Sequence, residues 1–174
     1  MIAAIIYKSQ TGHTRAYAEL LSEEIGIPSY DIGEALTMIP KGAPIIFMSW
    51  IKFGDIVAYG RASRKYDIKA VVAVGISAAG NKQLDRARKR HRIKGQHMFY
   101  LRGGLNLKNI HSIERKMIQA MQSNLAKAIA KKKKKNQSVT ESERDTLNSL
   151  MNGGNYVRKE NLSSIVQWYK ENEI

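Results

Sequence analysis

The feature that most restricts this chain is an alternation of short apolar runs with segments of helical spacing. The apolar runs are Ile2–Tyr7, Pro28–Ile32, Pro44–Ser49, Ala70–Ile76 and His97–Leu101. The first and fourth are nearly continuous in Ile, Val and Ala, which suits strands covered on both faces. In Thr14–Ile25 the apolar positions Tyr17, Leu20, Leu21 and Ile25 share one helical face, and Gly26 and Pro28 end the helix and open the next strand. Ile56–Arg64 is a weaker helix and Leu84–Arg90 a short, very basic one. His111–Ala130 carries a long stripe of Ile113, Met117, Ile118, Met121, Leu125 and Ile129, and Asn161–Tyr169 is the last helix. Such an order implies parallel pairing with right-handed crossovers, hence an α/β, doubly wound parallel sheet.

The 174 residues suffice for one domain with its own core, so a single domain over residues 1–174 is expected. Residues 131–155 interrupt the pattern with the lysine run Lys131–Lys135, the polar stretch Asn136–Arg144 and a short helix over Glu141–Met151. They read as a basic and polar insertion, partly mobile, before the last helix. The absence of cysteine removes disulfide scaffolds, thiolate zinc sites and cysteine nucleophiles. The first residues lack the basic segment and the long apolar core of a signal peptide, and no stretch approaches the roughly 20 apolar residues of a membrane-spanning helix. A cytoplasmic protein is expected, at most attached to the inner membrane surface.

The densest chemistry lies between the first strand and the first helix, where Ser9, Gln10, Thr11, Gly12, His13 and Thr14 follow Lys8. A loop at this place exposes unpaired backbone N–H groups, and the helix dipole adds partial positive charge. Hydroxyls from Ser9, Thr11 and Thr14 complete an anion site that Gly12 leaves open to close approach. The sequence contains no G-x-x-x-x-G-K-[ST] and, after the first strand, no G-x-G-x-x-G, which argues against nucleoside-triphosphate and dinucleotide loops. His13, His91, His97 and His111 lack metal-ligand spacing, no metal site is expected, and no general acid or base can be assigned.

The run Ser9-x-Thr11-Gly12-x-Thr14 resembles the phosphate signature of flavodoxins. The loop Ser49-Trp50-Ile51-Lys52-Phe53-Gly54 looks like that of the menaquinone-dependent protoporphyrinogen dehydrogenases, a flavodoxin-like family. Arg102-Gly103-Gly104, the stretch Glu114-Arg115-Lys116-Met117-Ile118 and Asn155-Tyr156-Val157 are similar to that branch as well. The resemblance implies a five-stranded sheet in the order 2-1-3-4-5 and FMN as cofactor. It places the flavin phosphate on Ser9–Thr14 and the ring among Trp50, Ile51, Lys52, Phe53 and Gly54 on one side and Ser77, Ala78, Ala79 and Gly80 on the other. It further implies an oxidoreductase of heme biosynthesis, acting on protoporphyrinogen IX with a quinone as acceptor. The competing expectations are a flavodoxin that shuttles electrons between protein redox partners and a basic binding module that has lost the cofactor.

Net charge is +14, from 29 Lys and Arg against 15 Asp and Glu. Anionic partners are therefore expected. Lys131–Lys135 could hold the protein against anionic lipid, and Lys82–Lys94 is a second basic cluster. No aromatic interleaving marks either as a specific nucleic-acid motif. Lys52, beside the expected flavin, should favour its anionic reduced form. Oligomeric state is not readable from the sequence.

Overall fold

Parallel strands need cover on both faces, and the helices of this chain divide between the two. The computed structural model describes residues 1–110 and 112–172. The central strands are β1 (Ala4–Lys8), β2 (Ser29–Asp31), β3 (Pro44–Lys52), β5 (Asp67–Gly75) and β6 (His97–Arg102), with the short β4 (Asp55–Ile56) between β3 and β5 in the chain. They pair in parallel in the order β2-β1-β3-β5-β6, while β4 folds back antiparallel on the end of β3. The five expected strands thus stand second, first, third, fourth, fifth. The fold is a flavodoxin-like, doubly wound α/β sheet.

Side chains alternate across the sheet as the pleat requires. Ile6, Ile45, Phe47, Val71 and Ala73 face a layer made by α2 (Ile32–Met38), α3 (Tyr59–Ser63) and α4 (Asn81–His91). Ile5, Ile46, Met48, Val72 and Val74 face α1 (His13–Ile25) and the last helix, α7 (Ser163–Glu171). Tyr17 and Phe47 are fully enclosed. Each such side chain stabilises the fold by roughly 1.5–3 kcal/mol relative to exposure.

The structure adds elements to the expected ones. The second strand stops at Asp31, because the Asp31 carboxylate accepts a 2.8 Å hydrogen bond from the Gly33 N–H and starts α2. Helix α3 occupies only Tyr59–Ser63 of the expected Ile56–Arg64, since Asp55 and Ile56 pair with β3 instead. The turn between β3 and β4 has two residues, Phe53 and Gly54, both left-handed at φ 51° and 77°. That is the geometry of a tight hairpin turn.

The segment before the last helix is larger than expected. After β6 the chain forms the two-residue strand β7 (Gly104–Leu105), then α5 (Ser112–Lys134) and α6 (Glu141–Asn152), and returns through β8 (Gly154–Asn155), which pairs antiparallel with β7. Lys131–Lys134 form the last turn of α5, where cations favour the helix dipole. Lys132 pairs with Glu143 at 2.6 Å, and the Thr140–Glu143 capping box starts α6. Met117, Ile118, Met121, Leu125 and Ile129 are all at least partly buried, while His111 and the side chain of Ile113 lie outside the described residues.

Candidate functional site

A parallel sheet gathers the loops after its strands at one edge. Here those loops and the α5–α6 hairpin enclose a mainly apolar cavity of about 290 Å³. Its floor is Val74, Gly75 and Ile76 at the end of β5. One wall is Gln10, Thr11, His13 and Thr14 after β1, and another is Trp50, Ile51, Lys52, Phe53 and Gly54 after β3. Ile110, Met117, Ile118, Met121 and Leu150 form the roof, and Gln83 and Arg86 reach in from α4. A volume near 300 Å³ lies at the lower end of small-molecule sites. A larger, more polar opening of about 560 Å³ adjoins it, sharing Thr11, His13 and Leu105 and including Gly12.

The loop after β1 is built to start a helix without a side-chain cap. Gly12, at φ 90°, precedes α1 and leaves its first N–H groups free of such a partner. Thr11 Oγ1 lies 3.0 Å from His13 Nδ1, which fixes the ring, and the ring packs against Gly104. Burial lowers the His13 pKa, so the imidazole is neutral near pH 7. Ser9 Oγ is enclosed and has no hydrogen-bond partner among the described residues. Such an orphan hydroxyl costs about 1–3 kcal/mol unless a partner arrives.

The β3–β4 turn is pinned from below. Ile56 N–H donates to His91 Nε2 at 3.0 Å, and Asp55 Oδ1 lies 2.9 Å from the same nitrogen. Burial lowers the His91 pKa despite that carboxylate. Gly54 touches α4 so closely that a Cβ there would fall 2.7 Å from Arg86 Cβ. The turn therefore presents Lys52 and Phe53 outward, and Phe53 is 58% exposed.

The loop after β5 contributes to the cavity through Gly75 and Ile76. Ser77, Ala78, Ala79 and Gly80, expected there from the sequence, are not among the lining residues. Tyr100 donates to the Ser77 carbonyl at 3.0 Å, and Ala78 N–H donates to Thr146 Oγ1 at 3.3 Å. A Cβ at Gly80 would lie 1.9 Å from the Tyr100 ring, so only glycine fits. The loop is thereby folded onto β6 and α6.

Arg102 fastens the hairpin to the sheet. Its guanidinium donates to Ser149 Oγ at 3.0 Å, lies 3.5 Å from Asp145 Oδ2 and stacks 3.6 Å from the centre of the Tyr156 ring. Tyr17 O–H donates to the Arg102 carbonyl at 2.7 Å, tying the same point to α1. The roof residues and Arg86 were not foreseeable as lining: they sit in helices whose partners are set by tertiary packing. The stripe on α5 was visible, but not the cavity it faces.

Among the described residues there is no cluster of three His, Asp or Glu suited to a metal ion, and no helix is long and apolar enough to cross a membrane. No family model matches the sequence, and no curated protein matches it either. Fold and site together define a flavodoxin-like, doubly wound α/β fold with an apolar cavity beside a helix-start loop that has no side-chain cap.

Proposed function

We propose that this chain is an FMN-binding oxidoreductase, of the protoporphyrinogen IX dehydrogenase type with a quinone as electron acceptor. One observation carries the reading. The helix-start loop lines, through Gln10, Thr11, His13 and Thr14, the same apolar cavity as the loops after β3 and β5, and it also carries the unpartnered Ser9 hydroxyl, which is not itself among the lining residues. A ligand with a phosphate at one end and a flat, mostly apolar ring at the other suits both parts.

The residues present fit such a group. Backbone N–H groups of Ser9–Thr14 and the Ser9 and Thr11 hydroxyls would hold the phosphate. Trp50 and Ile51 would flank the ring on one side, with Gly75 and Ile76 along its edge. Bound FMN would supply the electron-accepting chemistry. The chain's own part is position and charge. Lys52 and Arg86 lie at the rim and favour negative charge inside, and Met117, Ile118, Met121 and Leu150 exclude water from above. That apolar roof supports an apolar second substrate such as a quinone.

Purified protein should carry a yellow chromophore released as FMN on denaturation, or should quench flavin fluorescence on titration. Anaerobic addition of a porphyrinogen should bleach the bound flavin, and a quinone should restore it. Bleaching only through a partner reductase would favour an electron shuttle. No bound flavin and no quenching would overturn the reading.

A further inference from the structure

We propose that the mouth of the cavity, formed by the β3–β4 turn and the outer face of α4, is a docking surface for an anionic lipid bilayer. This goes beyond the flavin reading and does not depend on it. Phe53 is one of four large apolar side chains exposed among the described residues, with Met1, Met38 and Met151. It stands at the tip of a two-residue turn, in a left-handed conformation that a bulky residue adopts at a cost. Nothing in the fold gains from exposing that ring there.

Cations lie beside it. Lys52 precedes it in the turn, and Arg86 touches Gly54 directly behind it. On α4 the spacing of Lys82, Arg86 and Lys89 puts all three on the face opposite the buried Ala87. The nearby carboxylates are Asp85, exposed on α4, and Asp55, 3.5 Å from Arg90 Nε. Positive charge therefore prevails around the Phe53 tip.

An exposed aromatic tip flanked by long cationic side chains is the arrangement of proteins that lie in the headgroup layer. A polyanion alone would match the cations and leave Phe53 in water, whereas a bilayer covers both. The same residues Lys52, Phe53 and Arg86 line the cavity, so an apolar molecule could pass from bilayer to cavity without crossing water. The lysine run suits this role less well. Lys132 is already paired with Glu143, and Ile129, the nearest large apolar residue before it, is buried.

Sedimentation with vesicles of phosphatidylcholine and phosphatidylglycerol tests the proposal, with pure phosphatidylcholine as control. The full chain should bind the mixed vesicles and not the neutral ones. Each cation near the surface is worth roughly fivefold in affinity, so Lys82→Gln with Lys89→Gln should weaken binding about 25-fold. Phe53→Ser should weaken it roughly tenfold while leaving the salt dependence in place. Changing Lys131, Lys133, Lys134 and Lys135 to Gln should have less effect than either. Thermal melting checks that each variant is folded, and flavin titration of the same samples reports separately on the cofactor. No vesicle binding by the wild type, unchanged binding by the mouth variants, or loss confined to the lysine-run variant would each overturn the proposal. So would binding to heparin without binding to vesicles.

Discussion

Replacing Arg102 with methionine should loosen the α5–α6 hairpin while leaving the sheet intact. The substitution removes the charged donor to Ser149 at 3.0 Å, a bond worth about 1.5–3 kcal/mol. It also removes the guanidinium 3.6 Å from the Tyr156 ring, worth about 0.5–2 kcal/mol. The contact to Asp145, a half-exposed carboxylate at 3.5 Å, adds less than about 1 kcal/mol. Two effects offset these losses. Arg102 Nε has no partner in the native fold, so its removal returns about 1 kcal/mol. The methionine stem keeps much of the packing on Tyr156, and Ser149 keeps its bonds to the Asp145 carbonyl and the Tyr156 hydroxyl. The net loss is about 2 kcal/mol, a fall in Tm of about 4–8 °C for a chain of this size. Urea unfolding would measure it, and hydrogen exchange should show α5 and α6 losing protection before β1 and β3 do. A cycle with Ser149→Ala should give a coupling of about 1 kcal/mol. An unchanged Tm, or loss of protection spread evenly over sheet and hairpin, would refute the reasoning.

Ser9→Ala should leave the flavin-free protein as stable or slightly more so, because the orphan hydroxyl disappears, yet weaken FMN binding about tenfold as read by flavin fluorescence. Lys52→Ala should lower the midpoint potential of bound flavin, measured by spectroelectrochemistry; an unchanged potential would end its electrostatic role. Burial pushes the Tyr100 phenol up to about 12. With a folded pKa above the unfolded value, its neutral form stabilises the fold fully below pH 10, and the contribution fades as pH rises towards 12. At 1.4 kcal/mol per unit this amounts to about 2–3 kcal/mol. Tyr17, Tyr59 and Tyr66 are raised as well, so Tyr100→Phe should flatten the alkaline loss of stability in urea melts only in part.

The strands were legible because burial on both faces leaves a direct mark in β1 and β5. Helix α2 was hidden: it buries only Ile32 and Ala35, and Ile32 itself read as the end of the second strand. Its signal was Asp31 capping Gly33, with Glu34 in the first turn. The β3–β4 hairpin was missed because its tight turn carries Phe53 where Asn or Asp usually announces one. Lys131–Lys135 read as loose low complexity, yet lysine is a good helix former, and Lys131–Lys134 simply finish α5. The loops at the cavity were placed correctly on one edge of the sheet. Which of their residues turn inward was decided by Tyr100 and Thr146, distant in sequence and unreadable from it.

The ribbon of β7 and β8 has an evolutionary consequence. The chain departs at Gly104 and comes home at Asn155, and Tyr156 N–H already donates to the Gly103 carbonyl at 2.8 Å. The intervening stretch is an appendix with neighbouring ends, so it can be shortened, lengthened or swapped without re-threading any strand. Selection can thereby retune what the cavity admits by editing one exchangeable part while the scaffold beneath stays as it is.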